Sequence, residues 1–537
     1  MKKTLLLFVT AVLLFSCTKE VVDLIVINSN TYTVNTNFSQ AEAFAIKDGV
    51  FIAIGENEEI TGKYQSSSII DAKNQTIVPG LIDAHCHFYR MGLQQQKVSL
   101  EGTKSYDEVL KKLVTFQKEK NTTFITGRGW DQNDWEVKEF PIKEKLDALF
   151  PTIPVAIGRV DGHALLVNQA AIDLAGITKN TKISGGEIIL KDGELTGVLI
   201  DAAMDFIKLP KTSKTAAIQG LLDAEKIAFS YGLTTVDDAG LDRETIELID
   251  SLQKIKKLKM RIYAMVSADK QSQIDYYINK GKLKTDRLNV RSFKVYGDGA
   301  LGSRGAAMRS SYSDRDTHFG ALIYSPKRYQ EIAKQIAASE YQMNTHAIGD
   351  SANTWMLKTY KEVLKDAKNR RWRIEHAQII SKEDFNHFDN ILPSVQPTHA
   401  TSDMYWAEDR VGAERMQGAY AFKKLLNTYG KIALGTDFPV EQVNPFLTFY
   451  AATIRKDIDN YPKDGFQMEN ALTREETLKG MTIWAAYANF EEDEKGSIEV
   501  GKFADFVILN QDIMKVDGSK IHKTTATSTY LNGEKVY

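Results

Sequence analysis

Leu81-Ile82-Asp83-Ala84-His85-Cys86-His87 is a short apolar run that ends in two histidines one residue apart. Its length and composition fit a buried strand whose last side chains emerge at a rim. Side chains alternate along a strand, so His85 and His87 point to one side and Cys86 to the other. Two imidazoles converging from one strand can bind one zinc ion, while Cys86 faces the covering helices. The plainer reading is a pair of solvated turn histidines; the apolar Leu81-Ile82 before them speaks against it.

Seven further runs of this kind follow, at Leu233–Asp238, Arg261–Val266, Ser292–Asp298, Gln342–His346, Arg371–His376, Leu392–Gln396 and Lys431–Asp437. Amphipathic helical patterns fall between most of them, for example over Lys327–Ser339, Arg410–Tyr429 and Arg474–Ala488. Eight strand–helix alternations predict an α/β fold with a (β/α)8 TIM-type barrel. The gap at about residues 92–225 is too long for one crossover and reads as an insertion after barrel strand 1. It carries its own helix, with Ser105 and Glu108 as a capping box, and an Asp192-Gly193 hairpin turn. Strand-like segments flank the barrel: Asp23–Ile27, a hairpin over Ala43–Gly55 turning at Asp48-Gly49, Ala504–Leu509 and Thr529–Tyr537. They predict a small composite β-sandwich domain built from both ends of the chain, residues 17–80 with 490–537, around a barrel over 81–489.

A chain of 537 residues, 43% hydrophobic, can bury a large catalytic domain and an accessory one. Its 68 basic and 70 acidic side chains give a net charge of −2, so no electrostatic case exists for nucleic acid. Two cysteines exclude a disulfide framework and a thiolate-rich zinc site.

Lys2 and Lys3 precede an apolar run from Leu5 to Phe15, a signal-peptide pattern over residues 1–16. Leu14-Phe15-Ser16-Cys17 resembles a bacterial lipobox, although Phe15 is bulkier than the usual residue there. That resemblance implies that Cys17 becomes the first mature residue and carries the lipid. An ordinary cleaved signal with an incidental cysteine is the alternative. The expected product is a soluble body, lipid-anchored to a membrane of the bacterial cell envelope, on the periplasmic side or at the outer membrane. Thr18 lacks the aspartate associated with inner-membrane retention.

Several of the proposed strands end in a metal-competent side chain. Lys294 alternates with Phe293 and Val295, and a lysine facing a barrel interior should have a lowered pKa. Its neutral amine can capture carbon dioxide as a carbamate, which supplies oxygen ligands. Pairing with Asp298 is the better reading on spacing alone. His346, His376 and Asp437 each end a later strand. Four histidines with a carboxylate suit a divalent ion, zinc above all.

The run Pro79 to His87 resembles the opening motif of the metal-dependent amidohydrolase superfamily. Further runs resemble its amidohydrolase family 3: Gly129-Trp130-Asp131, Asp161-Gly162-His163, Lys294 through Arg304, His346 to Asp350, Ile374 to Ala377, Ser394 to Pro397 and Gly435 to Val440. The resemblance covers residue 21 to the end and includes YtcJ-like proteins and N-substituted formamide deformylases. It implies one or two divalent ions, with His85 and His87 on the more buried one, His346 and His376 on the second, Lys294 bridging as a carbamate, and Asp437 as both ligand and base. It implies that His163 and His399 face substrate and that Trp130, Asp131 and Arg304 shape the site; His399 would donate a hydrogen bond to the developing oxyanion. Tyr405, Trp406 and the Trp130/Trp135 region would give it an apolar wall, although packing of the insertion explains them equally well. The expected reaction is hydrolysis of a non-peptide, amide-like C–N bond in a small molecule by a metal-activated hydroxide. The alternatives are a non-catalytic binding lipoprotein on a barrel scaffold and a deaminase-type amidohydrolase. Against the latter, Gly349 stands where ring deaminases of the superfamily carry glutamate. A D-aminoacylase-like enzyme would use a cysteine ligand outside the His-x-His pair, whereas Cys86 lies within it.

Overall fold

The computed structural model describes residues 19–537, apart from 161–162, 184–185, 366 and 368. The expected signal peptide and the lipidated Cys17 lie outside the described residues. No helix among the described residues is long and apolar enough to cross a membrane. The chain forms two compact units, one of residues up to His87 together with Lys226–Tyr537, the other of Phe88–Glu225.

In the first unit eight parallel strands follow one another in sequence order. They are β1 Leu81–Cys86, β2 Leu233–Leu241, β3 Arg261–Ser267, β4 Leu288–Tyr296, β5 Gln342–Ala347, β6 Arg373–His376, β7 Leu392–Val395 and β8 Ala433–Leu434. Nearly every residue in them is buried, as expected of a parallel sheet with helices outside and packed side chains inside. The ring closes between β1 and the segment after β8. Asp437 N–H donates to the His85 carbonyl (2.8 Å), and His87 N–H donates to the Phe438 carbonyl (2.7 Å). Asp83 clamps the same seam. Its carboxylate accepts Thr436 N–H (3.0 Å), the Thr436 hydroxyl (2.7 Å) and its own neighbour His85 N–H (3.2 Å). Burial pushes the Asp83 carboxyl up to about 7, against these hydrogen bonds. Gly435 lets the strands approach, since a Cβ there would stand 2.5 Å from His85 N.

Two expected helices are interrupted. Arg410–Tyr429 resolves into Ala407–Met416, itself kinked at Gly412 (φ 76°), and Phe422–Tyr429. Arg474–Ala488 resolves into Arg474–Gly480 and Ile483–Ala488. The break follows Gly480, where a Cβ would stand 2.7 Å from the Leu434 side chain, so the chain turns where it touches β8.

Two further sheets pack face to face in the same unit. One has the order Glu534–Lys535, Ala526–Leu531, Phe506–Leu509, Thr76–Pro79, Asn30–Tyr32, Gln40–Ala41; the other Val50–Gly55, Ala43–Lys47, Leu24–Ile27, Ile69–Asp71. Phe44, Phe51, Phe506 and Tyr530 share their core, with Phe44 edge-on to Phe506 at 5.1 Å. Both Asp-Gly turns have the left-handed φ pair of tight hairpins, Asp48 and Gly49 at 53° and 77°, Asp192 and Gly193 at 53° and 81°. This sandwich meets the N-terminal ends of the barrel strands: Arg261 at the start of β3 makes a buried pair with Asp505 (Nε–Oδ2 2.7 Å, Nη2–Oδ1 3.1 Å).

The second unit has a six-stranded sheet in the order Val98–Ser99, Ile125–Trp130, Val155–Arg159, Ala164–Val167, Glu194–Asp201, Gly186–Lys191. Helix Tyr106–Lys120 packs on it through Val109, Leu110 and Leu113. Ser105 caps this helix by accepting Glu108 N–H (3.2 Å), but Glu108 accepts from Lys104 N–H (2.7 Å), so the expected capping box is only half made.

Gly435→Ala is expected to destabilise the barrel by about 1–3 kcal/mol through overpacking of the seam. A lowered denaturation midpoint with unchanged slope checks this; an unchanged midpoint would show that the seam relaxes freely.

Candidate metal centre

The side chains with chemistry converge at the C-terminal ends of the strands, where barrel enzymes place their sites. His85 and His87 leave β1 on one side, as alternation requires. Cys86 is fully buried, its Sγ 3.5 Å from the Asp237 carbonyl on β2, and belongs to neither group of potential metal ligands.

Two such groups exist among the described residues, and Asp437 belongs to both: His85, His87 and Asp437, and His376, His399 and Asp437. Within each group the candidate ligand atoms lie within 4.8 Å of one another. Asp437 Oδ1 is 3.3 Å from His87 Nε2 and 3.7 Å from His85 Nε2, and its Oδ2 is 3.3 Å from His399 Nε2. His376 links the groups, its ring 5.0 Å from His85 and 5.9 Å from His399. His346 joins neither group. Its ring stands 4.5 Å from His376, and its Nε2 is 3.5 Å from Asp298 Oδ1. His399, expected against substrate, thus stands beside Asp437, while His346, expected as a ligand, stands beside His376.

Backbone hydrogen bonds and carboxylates orient the imidazoles. His85 Nδ1–H donates to Glu375 Oε2 (2.6 Å), and His87 Nδ1–H donates to the Ala239 carbonyl (3.0 Å). Both Nε2 lone pairs then face the centre, as a metal-binding histidine needs. His376 and Asp437 have left-handed backbones, φ 71° and 63°. A non-glycine residue there costs about 1–3 kcal/mol, a strain that concentrates at functional sites.

Lys294 lies inside the barrel, 1% exposed, with Nζ 3.0 Å from His85 Nε2. Burial pushes its pKa down to about 8. The alternative pairing with Asp298 is not made: that carboxylate accepts the N–H groups of Ala307 (2.8 Å), Ile348 (3.0 Å) and Gly349 (2.8 Å). Burial, then the positive charge of Lys294, holds His346 down at about 3; burial likewise lowers His85 and His376, which therefore stay neutral. Burial opposes charge on Asp437, but His399 and His87 outweigh it and keep the carboxylate ionised. Burial also opposes charge on His399, yet Asp437 and Glu441 push it up to about 10.

A metal ion fits this set. Neutral imidazoles and an ionised carboxylate are the donors that a borderline divalent ion takes. Buried His346 Nε2, His376 Nδ1 and Asp437 Oδ1 make no hydrogen bond, so donor atoms remain for it.

Sequence reasoning missed the support beneath. Arg373 donates to Asp237 (2.9 Å) and to Asn489, whose amide donates back to Asp237 (2.6 Å), and Glu375 stands 4.0 Å from Arg373. Glu441, which holds His399 Nδ1 at 3.0 Å, also went unread. The adjacency of Glu375 to His376 on a buried strand was the one available signal.

The other expected residues have their own partners. Trp130 is buried in the core of the Phe88–Glu225 unit, its indole donating to the Ile157 carbonyl (2.8 Å), so packing rather than a pocket wall accounts for it. In the same unit, Asp131 accepts from Arg159 (2.7 Å), and exposed His163 pairs with Asp201 (2.7 Å). Arg304 grips Asp314 in two hydrogen bonds (3.0 and 2.7 Å). Tyr405 is 58% exposed and stacks on Tyr461.

A family model described as "Amidohydrolase family" matches residues 68–537. The chain belongs to this family. Among curated proteins it is similar to Protein LONG AFTER FAR-RED 3 of Arabidopsis thaliana (31% identical, covering 96% of this chain and 92% of that one). It is also similar to the putative amidohydrolase YtcJ of Bacillus subtilis (29%, 94% and 98%) and to the N-substituted formamide deformylase of Arthrobacter pascens (24%, 95% and 97%). Among solved structures, an uncharacterized metal-dependent hydrolase from Pyrococcus furiosus superposes with a TM-score of 0.76 at 25% identity, over 92% of this chain and all of that one. This amidohydrolase is thus a metal-dependent hydrolase of small-molecule C–N bonds, with His and Asp side chains as its metal-binding candidates.

Glu375→Gln is expected to weaken metal retention about 10–100-fold, because His85 loses its anionic partner; metal analysis after chelator dialysis checks this. In the metal-free protein His399 is expected to titrate near 10, followed by imidazole NMR. Its raised pKa means that the His399–Asp437 contact stabilises fully below the ordinary 6.5 and is lost as pH rises through about 10.

Proposed function

We propose that the protein is a zinc-dependent hydrolase of a non-peptide amide, with Asp437 moving the proton. The observation that carries this reading is the position of Asp437, shared between two histidine groups and in reach of His87 and His399. His85 and His87 would hold one ion, and His346 and His376 the second. Lys294, an amine near neutrality, would take up carbon dioxide as a carbamate and add oxygen donors. A divalent ion held there supplies Lewis acidity, which polarises a carbonyl and lowers the pKa of water to about 7. The imidazole-rich donor set favours zinc.

Asp437, ionised, accepts a proton from the attacking water and returns it to the leaving nitrogen. His399, protonated and braced by Glu441, donates a hydrogen bond to the carbonyl oxygen as negative charge builds there. The similarity to a formamide deformylase supports an N-acylated amine as substrate. A ring-deaminase reading finds no support at Gly349, where a Cβ would stand 2.0 Å from the Ala307 carbonyl oxygen, leaving no room for glutamate. At the N-terminus, the pattern from Lys2 to Cys17 supports acylation of Cys17 and a place on the bacterial envelope.

Asp437→Asn, assayed on an amide panel at saturating zinc, should lose at least about 10²-fold in kcat; unchanged turnover removes Asp437 as base. Cys17→Ser should move the protein out of the membrane fraction, read by blotting.

A further inference from the structure

Two amide side chains inside the barrel have nothing to bond. Among the described residues, Asn344 and Gln396 are the buried amides whose nitrogen and oxygen both lack a hydrogen bond. Asn489, equally buried, uses both ends, on Asp237 and Arg373. An unpaired buried amide is expensive and calls for an explanation.

The two occupy different depths. Asn344 pairs in register with Lys294, within the barrel. Gln396 follows β7, and its backbone is still extended (φ −120°, ψ 95°), so the alternation of the strand runs through it. Ser394 pairs in register with Glu375, which points inward to His85. Gln396, two residues on, faces the same way and one step nearer the rim. It is flanked by β6, which ends at His376, and by Gly435, whose N–H bonds Val395 beside it (3.0 Å). Its own carbonyl accepts His399 N–H (3.1 Å). At 2% exposure it is as enclosed as His376 and Asp437, both 5%.

We propose that Gln396 recognises the substrate by its amide N–H. Gln396 Oε1 accepts that N–H, and Nε2 stays available to an oxygen on the acyl side. The substrate class is then the secondary amide, in preference to N,N-disubstituted amides and esters, which leave Oε1 unpaired. Sites built around a substrate N–H or O–H reject analogues lacking it strongly. This inference rests on the amide-hydrolase reading of the same centre.

The test uses full-length, zinc-loaded protein, wild type and Gln396→Met, with formanilide and N-methylformanilide as paired probes for kcat/KM. Acetanilide and N-methylacetanilide serve as paired probes of binding, by ligand-induced shift of Tm. Wild type is expected to favour the N–H member about 10²-fold in kcat/KM and to show the larger Tm shift with it. Gln396→Met should abolish both preferences, mainly through KM, while its ligand-free Tm does not fall, because methionine leaves no unpaired polar atom. Gln396→Glu, which keeps an acceptor, should retain the preference. No preference in wild type, a preference that survives Gln396→Met, or a ligand-free Tm several degrees below wild type would overturn the proposal. Absent turnover of every anilide alongside an N–H-dependent Tm shift would count against the hydrolase reading instead.

Discussion

Closure of the barrel between its first strand and the segment after its last is the constraint on which the centre depends. Asp437 and the His85–His87 pair are separated by some 350 positions of chain, and only the seam makes them neighbours. The backbone bonds from Asp437 to His85 and from His87 to Phe438 set their spacing directly. Asp83 fastens the crossing by gathering three donors, and Gly435 permits it by having no side chain. These candidate ligands therefore sit on crossing backbones, whose geometry is set by the ring itself.

Burial then does the electrostatic work. Water is kept from His85, His346 and His376, so their neutral forms prevail; the same exclusion lowers the pKa of Lys294. Asp437 escapes the trend because the charge of His399 faces it. Beneath them Glu375, Arg373, Asp237 and Asn489 form a fully buried polar layer. Removing one partner from such a layer strands a charge in a medium that cannot solvate it.

What could be read from the chain followed from periodicity and residue type. The strand runs were legible because apolar alternation stops at side chains able to bind metals, and His85, His87, Lys294, His376, His399 and Asp437 do meet. Partnerships made by the fold were not legible. His85 and Glu375 lie 290 positions apart, Asp237 and Asn489 252 apart, and no local pattern links them. That His399 comes within 3.3 Å of Asp437 while His346 stands beside His376 and Asp298 is set by the fold and not by spacing. Gly412 kinks and Gly480 ends a helix that hydrophobic periodicity alone would carry through, because backbone conformation and close approach override it.

The sandwich draws strands from before and after the barrel, and Arg261 of the barrel is neutralised by Asp505, which is synthesised 244 residues later. Until that aspartate emerges from the ribosome, the guanidinium has no counter-ion and Phe44 and Phe51 lack Phe506 and Tyr530 as neighbours. Completion of the sandwich therefore waits on a long stretch of chain, and its early strands present sticky edges over that interval.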